Sequence, residues 1–187
     1  MAKKDVKAPE VETNARAGAL VNMVLTALMA GVVFVVTYFL RIPMPGSNGG
    51  IINLGDLAVY ITAILLANPW AAIAASLGSG LMNISIGLFH YAPATFIIKG
   101  TMGLIVSGFA KNGSPAMFKL GTLIAGIIML GGYFVYDLFF FRAGENLAWV
   151  IAIDGLVGNI IQALVCVLLS WIIYKPMKSL KNRLMPQ

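Results

Sequence analysis

Charged residues, cysteine and histidine are scarce in this chain, and each shortage argues against a class of protein. Only 11% of its 187 residues are charged, whereas soluble domains carry roughly 25%. The one cysteine, Cys166, cannot form a disulfide within the chain, and the one histidine, His90, cannot complete a zinc motif of the His-Glu-x-x-His kind. We therefore expect neither a disulfide framework nor a metal site, and a soluble globular domain is a poor fit.

Enzymatic motifs are also missing. The sequence has no Walker A loop, so the chain cannot energise transport with an ATP site of its own. The segment Gly78-Ser79-Gly80 is superficially like the turn of a serine hydrolase, but Leu77 stands where that motif requires glycine. We expect no catalytic residue and no cofactor, and an intramembrane hydrolase built on a serine and His90 is the enzymatic alternative.

Apolar residues, in contrast, make up 59% of the chain. They form six runs, most of them near or above the ~20 residues that a membrane-spanning helix needs. The runs cover residues 20–40, 51–67, 70–88, 92–110, 118–141 and 147–174. The sequence thus predicts an all-α integral membrane bundle of six transmembrane helices. The second run is short, so an oblique crossing or a re-entrant hairpin is the alternative there.

The basic residues sort by side once six spans are drawn. Only Arg41 and Arg142 fall opposite the termini. The residues on the side of the termini are Lys3, Lys4, Lys7, Arg16, Lys111, Lys119, Lys175, Lys178, Lys181 and Arg183. Because loops rich in Lys and Arg stay in the cytoplasm, both termini are predicted to be cytoplasmic. We divide the chain into a disordered cytoplasmic tail (1–16), a six-helix membrane domain (17–178) and a basic cytoplasmic tail (179–187).

Lys99 is the most unusual residue, because it lies six residues into the apolar run that starts at Pro93. A lone cation at that depth is costly unless a partner neutralises it. The candidate partners are Asp56, Asp137 and Asp154, which also lie within or beside apolar runs. The alternative is that the long Lys99 side chain reaches back to the membrane interface.

The predicted orientation brings the unusual polar residues into the outer half of the bundle. These residues are Asp56, His90, Lys99, Asp137 and Asp154. Helical spacing adds Asn83, which is expected on the same helix face as His90, and also Tyr60, Tyr133, Asn159 and Gln162. Buried polar groups in membranes are functional candidates, so we predict a ligand cavity that opens outward. Helix capping by Asp56, helix-to-helix hydrogen bonds from Asn159 and Gln162, and an interfacial aromatic belt are the alternatives.

Two further features concern the first span and the loop that follows it. The segment Arg41-Ile-Pro-Met-Pro-Gly-Ser-Asn-Gly-Gly, which contains the candidate ligand residue Asn48, is predicted to be either a lid or a simple connector. Ala27 and Gly31 are four residues apart on the first span. Such a pair of small residues either lets a partner helix dock closely or serves packing inside the bundle.

Three segments carry a family resemblance that covers about residues 20–110. They are Gly50-Ile-Ile-Asn-Leu-Gly-Asp56, the Asn68-Pro69 turn with the small-residue helix that contains Gly78 and Asn83, and Tyr91-Ala-Pro-Ala-Thr-Phe-Ile-Ile-Lys99-Gly100. Together they resemble the substrate-binding S components of energy-coupling factor (ECF) vitamin transporters. The most similar branch is the riboflavin-type one, which includes proteins assigned to hydroxymethylpyrimidine and pyridoxine-like compounds.

The resemblance implies a division of labour in a prokaryotic plasma membrane. An S component captures a vitamin outside the cell and works with a membrane scaffold subunit and two cytoplasmic ATPases, and it is thought to topple during transport. The small-residue motif of the first helix contacts the scaffold in this family, and Ala27 and Gly31 occupy it here, with glycine in place of an alanine. Asn83 stands where many relatives carry aspartate.

The expected ligand is a hydroxymethylpyrimidine or a pyridoxine form. The residues expected to bind it are Lys99, Asn83, His90, Asp56, Tyr60, Tyr133, Asp137, Asp154, Asn159 and Asn48. A riboflavin-specific S component, a stand-alone secondary carrier and a structural subunit without a ligand are the alternatives. No nucleic-acid partner is expected.

Overall fold

The computed structural model describes residues 8–43, 51–111, 113–140 and 145–184. Within them the chain forms six helices and one short hairpin. In chain order these are α1 (Ala8–Phe39), β1 (Arg41–Pro43), β2 (Ile51–Asn53), α2 (Gly55–Leu65), α3 (Trp70–Ser85), α4 (Ala92–Ala110), α5 (Pro115–Phe140) and α6 (Glu145–Leu184). The predicted all-α bundle of six helices is confirmed. The division into two tails and a membrane domain stays a prediction, although α1 and α6 extend into the segments assigned to the tails.

Four segments are long and apolar enough to cross a membrane, namely Gly18–Phe39, Ala92–Ala110, Pro115–Phe140 and Ala148–Arg183. The predicted second span, residues 51–67, is different. Its first residues belong to β2, and α2 has only 11 residues. At about 1.5 Å per residue such a helix reaches about half-way through a hydrocarbon core of about 30 Å. The short helix begins at the buried Gly55, two residues after β2, and ends at Leu65.

Helix starts and ends follow the proline and glycine positions. Pro93 lies in the first turn of α4 and Pro115 opens α5, where the missing N–H group removes no helical hydrogen bond. Helix α3 ends at Ser85, shortly before Gly87, whose φ is +82°. A left-handed glycine just after the last turn is a common helix stop. The third run was predicted to continue to residue 88, so the helix is shorter than expected.

Small residues let α3 approach its neighbours on two sides. A Cβ atom added to Gly78 would lie 2.5 Å from the carbonyl oxygen of Ala30 on α1. A Cβ atom added to Gly103 on α4 would lie 2.9 Å from the carbonyl oxygen of Ala71 on α3. The backbones of α1, α3 and α4 thus pack almost directly on one another, as is common where van der Waals contact is the main force between helices in lipid.

The hairpin, which the sequence did not predict, follows the outer end of α1. Strands β1 and β2 pair antiparallel with Ile42 opposite Ile52. The next residue after β2, Leu54, donates its N–H to the carbonyl of Leu40 at 3.3 Å. Asn48 lies between the strands, outside the described residues, so the prediction about it stays untested.

Candidate ligand site

Helices α4 and α5 run antiparallel and present polar side chains to each other at three successive levels. Residues four apart lie on one face of a helix, and the sequence places Tyr91, Thr95 and Lys99 at this spacing along α4 and its first turn. Met129, Tyr133 and Asp137 follow the same spacing on α5. The facing pairs, from the outer end inward, are Tyr91 with Asp137, Thr95 with Tyr133, and Lys99 with Met129.

The innermost level contains a buried ion pair. Lys99 Nζ donates to Asp56 Oδ1, and the two side chains are 7% and 0% exposed. The same Nζ lies 3.2 Å from Met129 Sδ and 5.5 Å from the centre of the Tyr133 ring. Of the three candidate partners, Asp56 is therefore the one that neutralises Lys99. The alternative that Lys99 reaches back to the membrane interface is wrong, because its ammonium is buried.

Gln162 of α6 completes this level. Its Nε2 donates to Asp56 Oδ2 at 2.7 Å, and its Oε1 accepts the N–H of Asn53 at 2.9 Å. We call Asp56, Lys99, Met129 and Gln162 the buried cluster. Each carboxylate oxygen of Asp56 accepts a hydrogen bond within the cluster. The cluster is electrically neutral, because the charges of Lys99 and Asp56 cancel.

Asp56 does not cap α2, which was the structural alternative for it. At the start of this helix Asn53 Oδ1 accepts the N–H of Gly55 at 2.8 Å. Asp56 lies one residue further on and points toward Lys99 and Gln162.

The two outer levels link helices α3, α4 and α5 through neutral and acidic groups. Asn83 of α3 donates from Nδ2 to Thr95 Oγ1 at 2.7 Å, and Thr95 Oγ1 shares a hydrogen bond of 3.0 Å with Tyr133 Oη. Further out, Tyr91 Oη donates to Asp137 Oδ1 at 2.7 Å. We call these five residues the outer layer, because the charge pattern of the loops places this end of the bundle outside. The Thr95 hydroxyl and the Asp137 carboxylate are buried, being 2% and 3% exposed as residues.

Aromatic rings surround the outer layer. The centroid of the Tyr91 ring lies 6.5 Å from that of Tyr133 and 5.5 Å from that of Tyr136. The His90 ring stacks on Phe140 at 5.3 Å, and Tyr136 Oη donates to the His90 carbonyl. Stacked and edge-on rings of this kind offer flat apolar surface to a planar ligand.

The prediction that His90 shares a helix face with Asn83 is wrong. Helix α3 ends at Ser85, so His90 lies in the turn between α3 and α4. Its ring packs on α5 instead of continuing the face that carries Asn83.

Other candidate residues lie apart from the outer layer. Tyr60 is fully buried, and its Oη lies 3.5 Å from the carbonyl oxygen of Thr122, deeper in the bundle than Asp56. Asp154 and Asn159 are half-buried on α6. Across the described ranges, neither side chain has a hydrogen bond or ion pair. The ligand roles predicted for these three residues stay predictions.

The sequence analysis missed Thr95, and it placed Gln162 in the outer polar layer with a helix-to-helix hydrogen bond as the alternative. Thr95 could have been found, because it lies midway between Tyr91 and Lys99 at four-residue spacing in a motif already singled out. The partners of Gln162 could not have been predicted, since Asp56 and Asn53 lie 106 and 109 residues away along the chain.

The small-residue pair of α1 lies on the opposite side of that helix from the bundle. Ala27 and Gly31 are exposed, whereas Met29 and Val33 are buried in the core. A Cβ atom added to Gly31 would have no neighbour within 4 Å among the described residues. The described helices therefore leave this face free for another chain or for lipid.

The fold and the match to a known family together define a membrane-embedded substrate-capture subunit. A solved S component of a bacterial ECF transporter has the same fold, with a TM-score of 0.67 and 19% sequence identity over 88% of this chain and 97% of that structure. Residues 19–179 match the family described as ECF-type riboflavin transporter, S component. The chain belongs to this family.

Two relatives extend the comparison. The thiamine precursor transporter HmpT of Lactococcus lactis subsp. cremoris is 29% identical over 144 residues, which is 77% of this chain and 80% of HmpT. An uncharacterised protein of Pyrococcus woesei is 38% identical over 102 residues, covering 54% of this chain and 68% of that protein. The predicted class, location in the membrane and transport role are confirmed at the level of the family.

Proposed function

We propose that this S component captures a hydroxymethylpyrimidine-type thiamine precursor at the outer end of the bundle. The observation that carries the proposal is the similarity to HmpT across 77% of the chain. The outer layer supports it chemically. A pyrimidine ring with an amino and a hydroxymethyl group offers a flat face for stacking and several N–H and O–H donors for hydroxyl, amide and carboxylate acceptors.

The buried cluster has a supporting role in this proposal. Lys99 is one helical turn below Thr95, and its charge is already matched by Asp56. It therefore holds α2, α4 and α6 together beneath the ligand and keeps the Tyr133 ring in place from below. Lys99 and Asp56 act through the outer layer instead of contacting the ligand.

Energy for uptake comes from partner proteins in this proposal. The sequence has no ATP-binding loop, and S components act with a membrane scaffold and ATPase modules. The exposed face of α1 that carries Ala27 and Gly31 is the proposed scaffold contact. On this basis the chain has no enzymatic activity of its own.

The test is direct ligand identification. Mass spectrometry of small molecules released from the purified protein is expected to find a hydroxymethylpyrimidine, and calorimetry should give tighter binding for it than for pyridoxine or riboflavin. Riboflavin is the second candidate, because the matching family is described by that vitamin. Release of a yellow, fluorescent flavin, or tighter binding of riboflavin, would overturn the proposal.

Reconstitution tests the proposed dependence on partners. In liposomes the chain alone should bind ligand without ATP-driven accumulation, and addition of scaffold and ATPase subunits should produce uptake. Accumulation by the chain alone in an ion gradient would identify a secondary carrier instead.

A further inference from the structure

We propose that Asp137 is a specificity-determining residue, which selects ligands that present an amino group to it and rejects their oxo analogues and phosphate esters. This inference rests on the proposed function, since it concerns the ligand of the same site. It starts from the charges and the open hydrogen-bonding capacity of the outer layer.

Within the outer layer itself Asp137 is the one charged side chain, and His90, whose ring centroid lies 4.6 Å from that of Tyr91, is a titratable base beside it. Lys99 contributes no free charge, because Asp56 neutralises it. Arg41 is engaged at the end of α1, where Nε donates to the Tyr38 carbonyl at 2.6 Å and the guanidinium lies 4.5 Å above the Tyr38 ring. Asp154, next to Gly155, adds a second carboxylate at the outer end of α6. An anionic ligand would therefore meet repulsion here.

Asp137 also has unused acceptor capacity. A carboxylate can accept about four hydrogen bonds, and Oδ1 receives one from Tyr91 at 2.7 Å. Oδ2 receives none from the part of the chain that the structure describes. The residue is 3% exposed, and Oδ2 is not among the fully buried unpaired atoms of the described residues, so this oxygen keeps a small accessible area. A donor supplied by the ligand would complete its hydrogen bonding.

The backbone of helix α6 passes close to this oxygen and carries a glycine there. A Cβ atom added to Gly155 would lie 3.1 Å from Asp137 Oδ2. Because residue 155 is glycine, no α6 side chain covers Oδ2 at this point. The α5 residues Tyr133 and Tyr136, with Tyr91, supply rings on the other side.

These features define the chemistry of the ligand edge that faces Asp137. An exocyclic amino group donates N–H to the carboxylate, whereas an oxo group at the same position presents lone pairs that repel it. A phosphate monoester brings a charge of about −1.5 to −2 at pH 7 into a layer that is already negative. The site is thus suited to an amino-substituted, unphosphorylated heteroaromatic alcohol.

A ligand series on the wild-type protein is the first test. The probes are 4-amino-5-hydroxymethyl-2-methylpyrimidine, its 4-oxo analogue and its phosphate ester. A hydrogen bond to a charged group is worth enough that the amino compound should bind at least about tenfold more tightly than either of the others. Equal affinity for the amino and oxo compounds would overturn the inference and leave the proposed function standing.

The Asp137→Asn variant is the second test. A carboxamide both donates and accepts, so the ratio of amino to oxo affinity should fall to within about threefold, and the phosphate ester should lose less affinity relative to the alcohol. The matched control is Ser170→Ala, a buried α6 residue that bonds only to its own helix at 2.7 Å, and it should keep the wild-type ratio. An unchanged ratio in a folded Asp137→Asn protein would overturn the inference.

The ligand series separates the two proposals even if the variant does not fold. If no pyrimidine binds the wild-type protein while riboflavin does, the proposed function fails and the inference fails with it. If the amino and oxo pyrimidines bind equally, only the inference fails.

Discussion

The buried cluster and the outer layer are both polar and both lie between helices. They differ in how completely the protein itself pairs the carboxylate that each contains. In the buried cluster each oxygen of Asp56 has a donor, and the charges of Asp56 and Lys99 cancel. In the outer layer the carboxylate of Asp137 has a donor on one oxygen, and its charge has no ion-pair partner among the described residues. The polar groups of the buried cluster are satisfied within the protein, whereas the outer layer keeps an unused acceptor on Asp137 Oδ2.

This difference separates stabilising polar groups from recognising ones in a membrane protein. Removal of one member of a complete buried pair leaves an uncompensated charge, so such a change should mainly affect folding. Removal of a group with spare capacity should mainly affect ligand affinity. The two regions lie within three helical levels of each other on α4 and α5, so matched substitutions can test the distinction on the same helices.

The largest expected effect is the loss of stability in Lys99→Met. Methionine keeps much of the apolar stem but leaves Asp56 charged and buried, which should cost about 3–5 kcal/mol. Thermal unfolding of the purified protein in detergent measures it. The double variant Lys99→Met with Asp56→Leu should recover most of the loss, because no unpaired charge remains. A single variant as stable as the wild type would contradict the structural role.

Gln162→Met should have the next largest effect on stability. It removes the donor to Asp56 Oδ2 and the acceptor for the Asn53 N–H but keeps the ion pair. The expected loss is about 1–3 kcal/mol. Thermal unfolding beside the Ser170→Ala control measures it. The loss of ligand affinity should be small compared with the loss of stability. A large loss of affinity in a stable protein would place Gln162 in the ligand site.

Thr95→Val should show the reverse balance. Valine has nearly the same shape but lacks the hydroxyl that links Asn83 to Tyr133. Stability should fall by about 1 kcal/mol, and ligand affinity should fall several-fold because two side chains lose their alignment. Calorimetric titration with the ligand found for the wild type gives the affinity. Unchanged affinity would show that the outer layer is as self-contained as the buried cluster.

The smallest effect on either region is expected for the double substitution Ala27→Leu with Gly31→Leu. Both residues lie on the exposed face of α1 and touch neither the buried cluster nor the outer layer. Ligand affinity and stability should stay within experimental error, whereas assembly with the scaffold and ATP-driven uptake should be lost, since bulky side chains prevent close helix contact. Co-purification and uptake assays measure the outcome, and normal assembly would remove this face from the scaffold contact.

The sequence predicted that Lys99 needs a partner, but it did not predict which residues surround Lys99. A lone cation inside an apolar run requires a partner, which sequence alone indicates. The choice among Asp56, Asp137 and Asp154 could not be made, because Asp56 lies 43 residues from Lys99 and helical periodicity gives a face but not its neighbour. His90 was misplaced because the pattern was extended past Gly87, where the helix had already ended.

The sequence by itself determined the membrane class, the six-helix bundle and the family, because these depend on composition, on the length of apolar runs and on local motifs. Tertiary structure alone decided which charges cancel and which acceptors stay open, because these depend on contacts between residues far apart in the chain. Asp56 and Asp137 are both carboxylates beside apolar runs. Only the positions of Lys99, Gln162 and Tyr91 in space make the first a structural partner and the second a candidate for ligand recognition.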